Sequence, residues 1–95
     1  MRPPPNLKRL AIAWLRKEDW PRWLEIDSDF QPDYYHWLRR VTDAEARLKS
    51  DGVNVVRIDV LPEEFIEWAQ SNGCPLDTRG RSAYATWKVS RMDLH

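Results

Sequence analysis

Leu10-Ala11-Ile12-Ala13-Trp14-Leu15 is the longest uninterrupted apolar run in the chain, and its reading decides the fold. Six residues are far too few to span a bilayer. Alanine and leucine favour helices, so a helical segment is the competing reading. A short apolar run bounded by charge suits instead a strand covered on both faces. The strand is placed from Leu7 to Arg16. A second strand, Val53 to Val60, is rich in valine and isoleucine.

Four helices are predicted around these two strands. Asp19 looks like the N-cap of a short helix with Pro21 in its first turn and Trp20, Trp23 and Leu24 on one face. Residues 27–33 form a polar loop. A long helix runs from about Asp33 to Lys49 with Tyr34, Trp37, Leu38, Val41, Ala44 and Leu48 as one apolar stripe. Arg39–Asp43, Asp43–Arg47 and Glu45–Lys49 lie four apart and support its exposed side. Asp51-Gly52 stops it, glycine supplying the left-handed cap. Pro62 opens a third helix with Leu61, Phe65, Trp68 and Ala69 inward and Glu63, Glu64 and Glu67 outward. Asn72-Gly73 ends that helix and Pro75 prevents its continuation. Asp77 caps a last helix to about Arg91, with Ala83, Tyr84 and Trp87 inward.

The fold class is therefore α/β, on the border of α+β, in the order β-α-α-β-α-α. A strand–helix–strand connection of this length favours a parallel pair with a right-handed crossover. The sheet has two strands and four helices. An open edge of so small a sheet is a template for association, so a homodimer through that edge is expected.

At 95 residues the chain holds one domain, assigned to residues 7–92, behind a Pro-rich lead at 1–6. The apolar share of 42% lies in the globular range. Much of it is tryptophan: Trp14, Trp20, Trp23, Trp37, Trp68 and Trp87. Each indole buries on the order of 200 Å², so these six are read mainly as core. One or two exposed ones would be binding anchors. Net charge is zero, with 15 basic and 15 acidic residues, against the basic excess of a dedicated nucleic-acid binder. A single cysteine, Cys74, allows no intramolecular disulfide, and the N-terminal stretch has no apolar signal core. The expected compartment is the cytoplasm, with no membrane partner.

Several short stretches resemble a set of short bacterial proteins of unknown function. They are Trp20-Pro21, Tyr35-His36-Trp37, Gly52-Val53-Asn54-Val55-Val56, Phe65-Ile66-Glu67-Trp68, Asn72-Gly73-Cys74-Pro75 and the segment from Arg81 to Tyr84. Together they cover most of the chain from Leu10 to Trp87. The resemblance implies a bacterial cytosolic accessory protein and transfers no functional residues.

No catalytic, cofactor or metal motif emerges. Asp27 and Asp29 open like a calcium loop, but Pro32 replaces the turn glycine and Leu38 stands where a bidentate glutamate is needed. That loop is read as capping the next helix. His36 and Cys74 are the only base and thiol that could pair, and nothing in the spacing joins them. His95 is the last residue. Glu63 and Glu67 sit one turn apart on a solvated face, which does not perturb a carboxyl for acid–base work. Three glycines cannot build a phosphate cradle. No cofactor is implied.

The remaining candidate surface is the last helix, with Arg79, Arg81, Lys88 and Arg91. Arg81 and Lys88, seven apart, share a face that could contact phosphates. The blander reading pairs these cations with the acidic third helix of the same domain. The leading function is a small non-enzymatic protein-interaction or accessory protein whose partner is another protein or a second copy. The alternative is nucleic-acid binding through the basic C-terminal helix.

Overall fold

The computed structural model describes residues 9–92, so the expectations for residues 1–6 and for His95 lie outside the described residues. Two strands, β1 (Arg9–Trp14) and β2 (Asn54–Asp59), and four helices follow the expected order. The helices are α1 (Trp20–Ile26), α2 (Tyr34–Ser50), α3 (Pro62–Asn72) and α4 (Thr78–Met92), with a 3₁₀ turn at Lys17–Asp19 ahead of α1. The strands pair in parallel, Arg9 opposite Asn54 and Trp14 opposite Asp59.

Alternation along the strands assigns the two sheet faces. Ala11, Ala13, Val56 and Ile58 pack with Ala85 and Val89 of α4. The opposite face carries Leu10, Ile12 and Trp14 of β1 and Val55 and Arg57 of β2. There α2 crosses from β1 to β2. Trp37 meets the Trp14 ring at 5.4 Å, and about two turns further on the Glu45 carboxylate receives two 2.8 Å bonds from Arg57. The Arg57 guanidinium also lies 3.8 Å over the Trp14 ring.

The sheet is too narrow to cover α2. Tyr34, Trp37, Leu38, Val41, Ala44 and Leu48 form the expected stripe, yet every one remains part-exposed. The only buried residue of α2 is Glu45, which the sequence placed on the solvent side. Its ion pair with Arg57 explains the inversion: a carboxylate tolerates burial once it is bonded on both oxygens. The expectation that β1 is covered on both faces also needs correction, because Leu10 is 42% exposed.

A second, larger cluster lies past the C-terminal ends of the strands. Leu15, Trp20, Trp23, Phe30, Val60, Phe65, Ala69 and Tyr84 are buried together. β1 ends before Leu15 because that residue turns into this cluster. Arg16 then bonds the Asp19 carboxylate at 2.9 Å and tightens the turn. Asp19 stands at the N-cap of α1 but spends its side chain on Arg16 and makes no cap bond of its own.

Tilted ring pairs link the cluster and its part-buried neighbour Trp68. Trp20 meets Phe30 at 4.7 Å, Trp23 meets Phe65 at 5.8 Å, and Tyr84 meets Trp68 at 5.2 Å. Each such pair contributes about 0.5–1.5 kcal/mol beyond its buried area. Trp20 and Trp23 are buried, Trp14, Trp37 and Trp68 are part-buried, and Trp87 is 39% exposed.

Apart from Asp19, local signals at the helix ends act as read. Asp33 accepts from the Tyr35 amide, and Asp77 accepts from the Gly80 amide at 3.1 Å. Gly73 ends α3 in the left-handed region at φ 65°. The rotation of α4 differs from expectation. Its buried line is Gly80, Arg81, Tyr84, Ala85 and Val89, while Ala83 and Trp87 face out. Two contacts fix that rotation. Gly80 lies against the Pro75 carbonyl, where a side chain would not fit, and Arg81 reaches inward to Asp27. Among the described residues no helix is long and apolar enough to cross a membrane.

Candidate functional site

A cleft of about 480 Å³ follows the edge of β1 that faces away from β2. Its floor is Ala11, Ile12 and Ala13, residues that point to opposite faces of the sheet, so the cleft lies along the strand edge itself. One wall is the N-terminal half of α2, with Trp37, Arg40 and Val41. The other is the first turns of α4, with Thr78, Arg81 and Ser82. Leu15 and Phe30 close one end, where Asp29 and Gln31 form the lip. Among the described residues β1 pairs with no strand other than β2.

The two walls differ in chemistry. The α2 wall presents apolar, part-exposed Trp37 and Val41, beside Ile12 on the same sheet face. The α4 wall presents the hydroxyls of Thr78 and Ser82 above Ala11 and Ala13. Arg40 is exposed at the rim, and no described residue forms an ion pair with it.

Arg81, at the base of the cleft, is held firmly. Its Nη1 donates to Asp27 at 3.0 Å, its Nη2 to Thr78 Oγ1 at 2.9 Å, and its guanidinium lies 4.9 Å from the Phe30 ring centre. Both charged side chains are nine-tenths buried. Asp27 also accepts from the Asp29 amide at 3.0 Å. Its carboxylate is thus an internal counter-ion and turn acceptor.

This arrangement divides the four cations expected to form one basic surface. Arg81 is buried and leaves that surface. Arg79 is exposed, 3.8 Å from the Asp77 carboxylate. Lys88 donates to the Asp59 backbone carbonyl at 3.2 Å, and Arg91 lies 5.2 Å over the Trp87 ring. None of the four pairs with Glu63, Glu64 or Glu67, so the anticipated bridge to the third helix is absent among the described residues. Glu63 bonds Arg22 of α1 instead, and that guanidinium holds its carboxyl below the usual range. Trp87, Lys88, Arg91 and Met92 do form a small apolar-and-basic patch at the end of α4.

The other candidates stay apart. Cys74 is part-buried, with its thiol directed at the Asn72 carbonyl at 3.8 Å. His36 lies in the first turn of α2. Among the described residues no group of three or more His, Cys, Asp or Glu side chains could hold a metal ion. Arg40 and Ser82 carried no signal in the sequence, and Val41 only that of the α2 stripe, because the cleft exists only where three elements converge.

Compared with protein-family models, curated proteins and solved structures, the chain matches none.

Proposed function

We propose that this chain is a small non-enzymatic interaction protein of a bacterial cytoplasm, and that its working surface accepts an extended segment along β1. The observation that carries this reading is the cleft between α2 and α4 along the edge of β1 that no other described strand pairs with. An unpaired strand edge offers a row of backbone donors and acceptors, which is the basis of recognition by strand addition. The two helices flank that edge and leave a slot between them. A third strand there would also cover part of the α2 stripe that the two-stranded sheet leaves exposed. Pairing of β1 with β1 of a second copy is the homodimeric form of the same interaction.

The test is affinity capture from host lysate at moderate salt, comparing the native chain with Val41→Glu. That substitution puts a charge on the α2 wall without touching a buried residue, and circular dichroism checks its fold. A stoichiometric protein partner lost on Val41→Glu supports the reading. A partner retained on the variant refutes it.

A second reading, nucleic-acid binding through α4, rests on exposed Trp87 flanked by Lys88 and Arg91, an aromatic-and-cationic combination suited to single strands. It proceeds without Arg81. Lys88→Glu with Arg91→Glu would then abolish salt-sensitive retention on heparin; unchanged retention would dismiss it.

A further inference from the structure

The walls of the cleft also specify what would fit between them. We infer that the occupant is an extended segment of a partner protein. Its alternate bulky apolar side chains face α2, small ones face α4, and a single carboxylate lies beside Arg40. This inference rests on the strand-accepting reading above.

Period-two alternation follows from strand geometry. A segment added to β1 continues the pleat, so its side chains fall in turn on the two sheet faces. On the α2 side they meet Ile12, Trp37 and Val41, which favour apolar side chains of some size. On the α4 side they meet Ala11, Ala13 and the hydroxyls of Thr78 and Ser82, where a small or hydroxylated side chain fits. From Ala11 to Leu15 the cleft accommodates about five residues of strand, roughly 17 Å.

Charge then selects among such segments. Arg40 is the cleft's cation without an ion-pair partner among the described residues, since Arg81 is satisfied by Asp27 and Thr78. A carboxylate beside Arg40 completes it. Asp29 at the Leu15 end carries the opposite charge, so a second carboxylate there would be repelled. The occupant therefore carries one placed acid and is not acidic throughout. A second copy of β1 satisfies the size alternation, with Leu10, Ile12 and Trp14 on one face and Ala11 and Ala13 on the other. It fails on charge: from Arg9 to Arg16 it has no carboxylate, and both ends are arginine.

A random decapeptide display library panned on the full chain tests the inference, with Arg40→Glu panned in parallel. Light scattering of the free chain runs beside it. Expected are peptides with apolar residues at every second position, one of those positions being taken by Asp or Glu. Their affinity should fall at least about tenfold on Arg40→Glu, and this variant should enrich Lys or Arg at the acid's position. N-methylation of alternate peptide amides should abolish binding. Period-two peptides indifferent to charge and to Arg40→Glu would overturn the inference and leave the strand-accepting reading intact. So would a failure to enrich any peptide while the chain itself dimerises. Peptides with helical periodicity, or binding that survives N-methylation, would overturn both, as would no enrichment from a monomeric chain.

Discussion

Replacing Arg81 by methionine separates a buried structural cation from a surface one. Methionine keeps much of the aliphatic volume and removes the guanidinium. The Asp27 carboxylate, bonded to Arg81 at 3.0 Å and nine-tenths buried, then loses its counter-ion. Breaking such a pair from one side costs about 3–5 kcal/mol, because the remaining charge stays in the protein without compensation. A 95-residue domain has about 5–14 kcal/mol of stability in total. The variant is expected to lose at least about a fifth of it, and most of it if the total lies at the low end. With a urea dependence of about 1–2 kcal/mol per molar, the midpoint should fall by roughly 1.5–5 M. Far-ultraviolet circular dichroism follows the transition without dependence on any one indole. Asp27→Asn in the Arg81→Met background should recover part of the loss, since the uncompensated charge is then gone while the acceptor for the Asp29 amide remains. A loss below about 1 kcal/mol for Arg81→Met, with weaker retention on heparin, would show that Arg81 works at the surface and that the rotation assigned to α4 is wrong.

Three further outcomes are expected. Gly80→Ala should destabilise by about 1–3 kcal/mol despite alanine's better helix propensity, because its methyl group would lie 1.8 Å from the Pro75 carbonyl oxygen; a Tm equal to or above the native value contradicts this. Arg57 holds the Glu45 carboxyl below its ordinary range. Stability from that pair is therefore complete above the unfolded carboxylate value of about 4.3 and is lost as pH falls through the lower folded value. Glu45→Gln should then be less stable at neutral pH and converge on the native chain in acid, read as urea midpoints from pH 7 to pH 3; a gap that widens in acid reverses the sign and sinks the argument. Trp23→Ala should cost about 3–5 kcal/mol and Trp87→Ala under about 1.5, since the first indole is fully buried and the second is 39% exposed; equal losses would refute the burial assigned to them.

Local physics was legible in the sequence, and non-local packing was not. The valines of β2, the apolar run of β1, the caps at Asp33 and Asp77 and the glycine at Gly73 each act on neighbouring residues, and the element order follows from them. The rotation of α4 depends on a bond from Arg81 to Asp27, 54 residues away, and on Gly80 against Pro75. Neither partner announces the other in sequence. Glu45 shows the same limit: its spacing to Lys49 suits a surface pair, and a 3.9 Å contact to Lys49 exists, but Arg57 on β2 takes the shorter bonds. Of the candidate site, a β1 edge that no other described strand pairs with was foreseeable from a count of strands. The slot beside it was not, because Trp37, Arg40, Val41, Thr78 and Ser82 converge only through tertiary packing. Arg81 was singled out for its charge, and its burial came from the ring of Phe30 and the carboxylate of Asp27.

The parallel pairing of β1 and β2 also sets the order of events in synthesis. Arg9 faces Asn54 and Trp14 faces Asp59, a constant separation of 45 residues, so no part of the sheet can close locally. Closure of a loop that long is entropically costly before any reward arrives, and contacts of this range slow folding. A ribosome adding about 5–20 residues per second needs some seconds to travel from one strand to the other. For that interval the Leu10–Leu15 segment emerges with both edges unpaired and its apolar side chains uncovered. The nascent chain should then be most prone to capture by chaperones, or by a neighbouring copy on the same polysome, and that exposure should fall as β2 pairs with β1 and again when α4 emerges to cover Ala11 and Ala13.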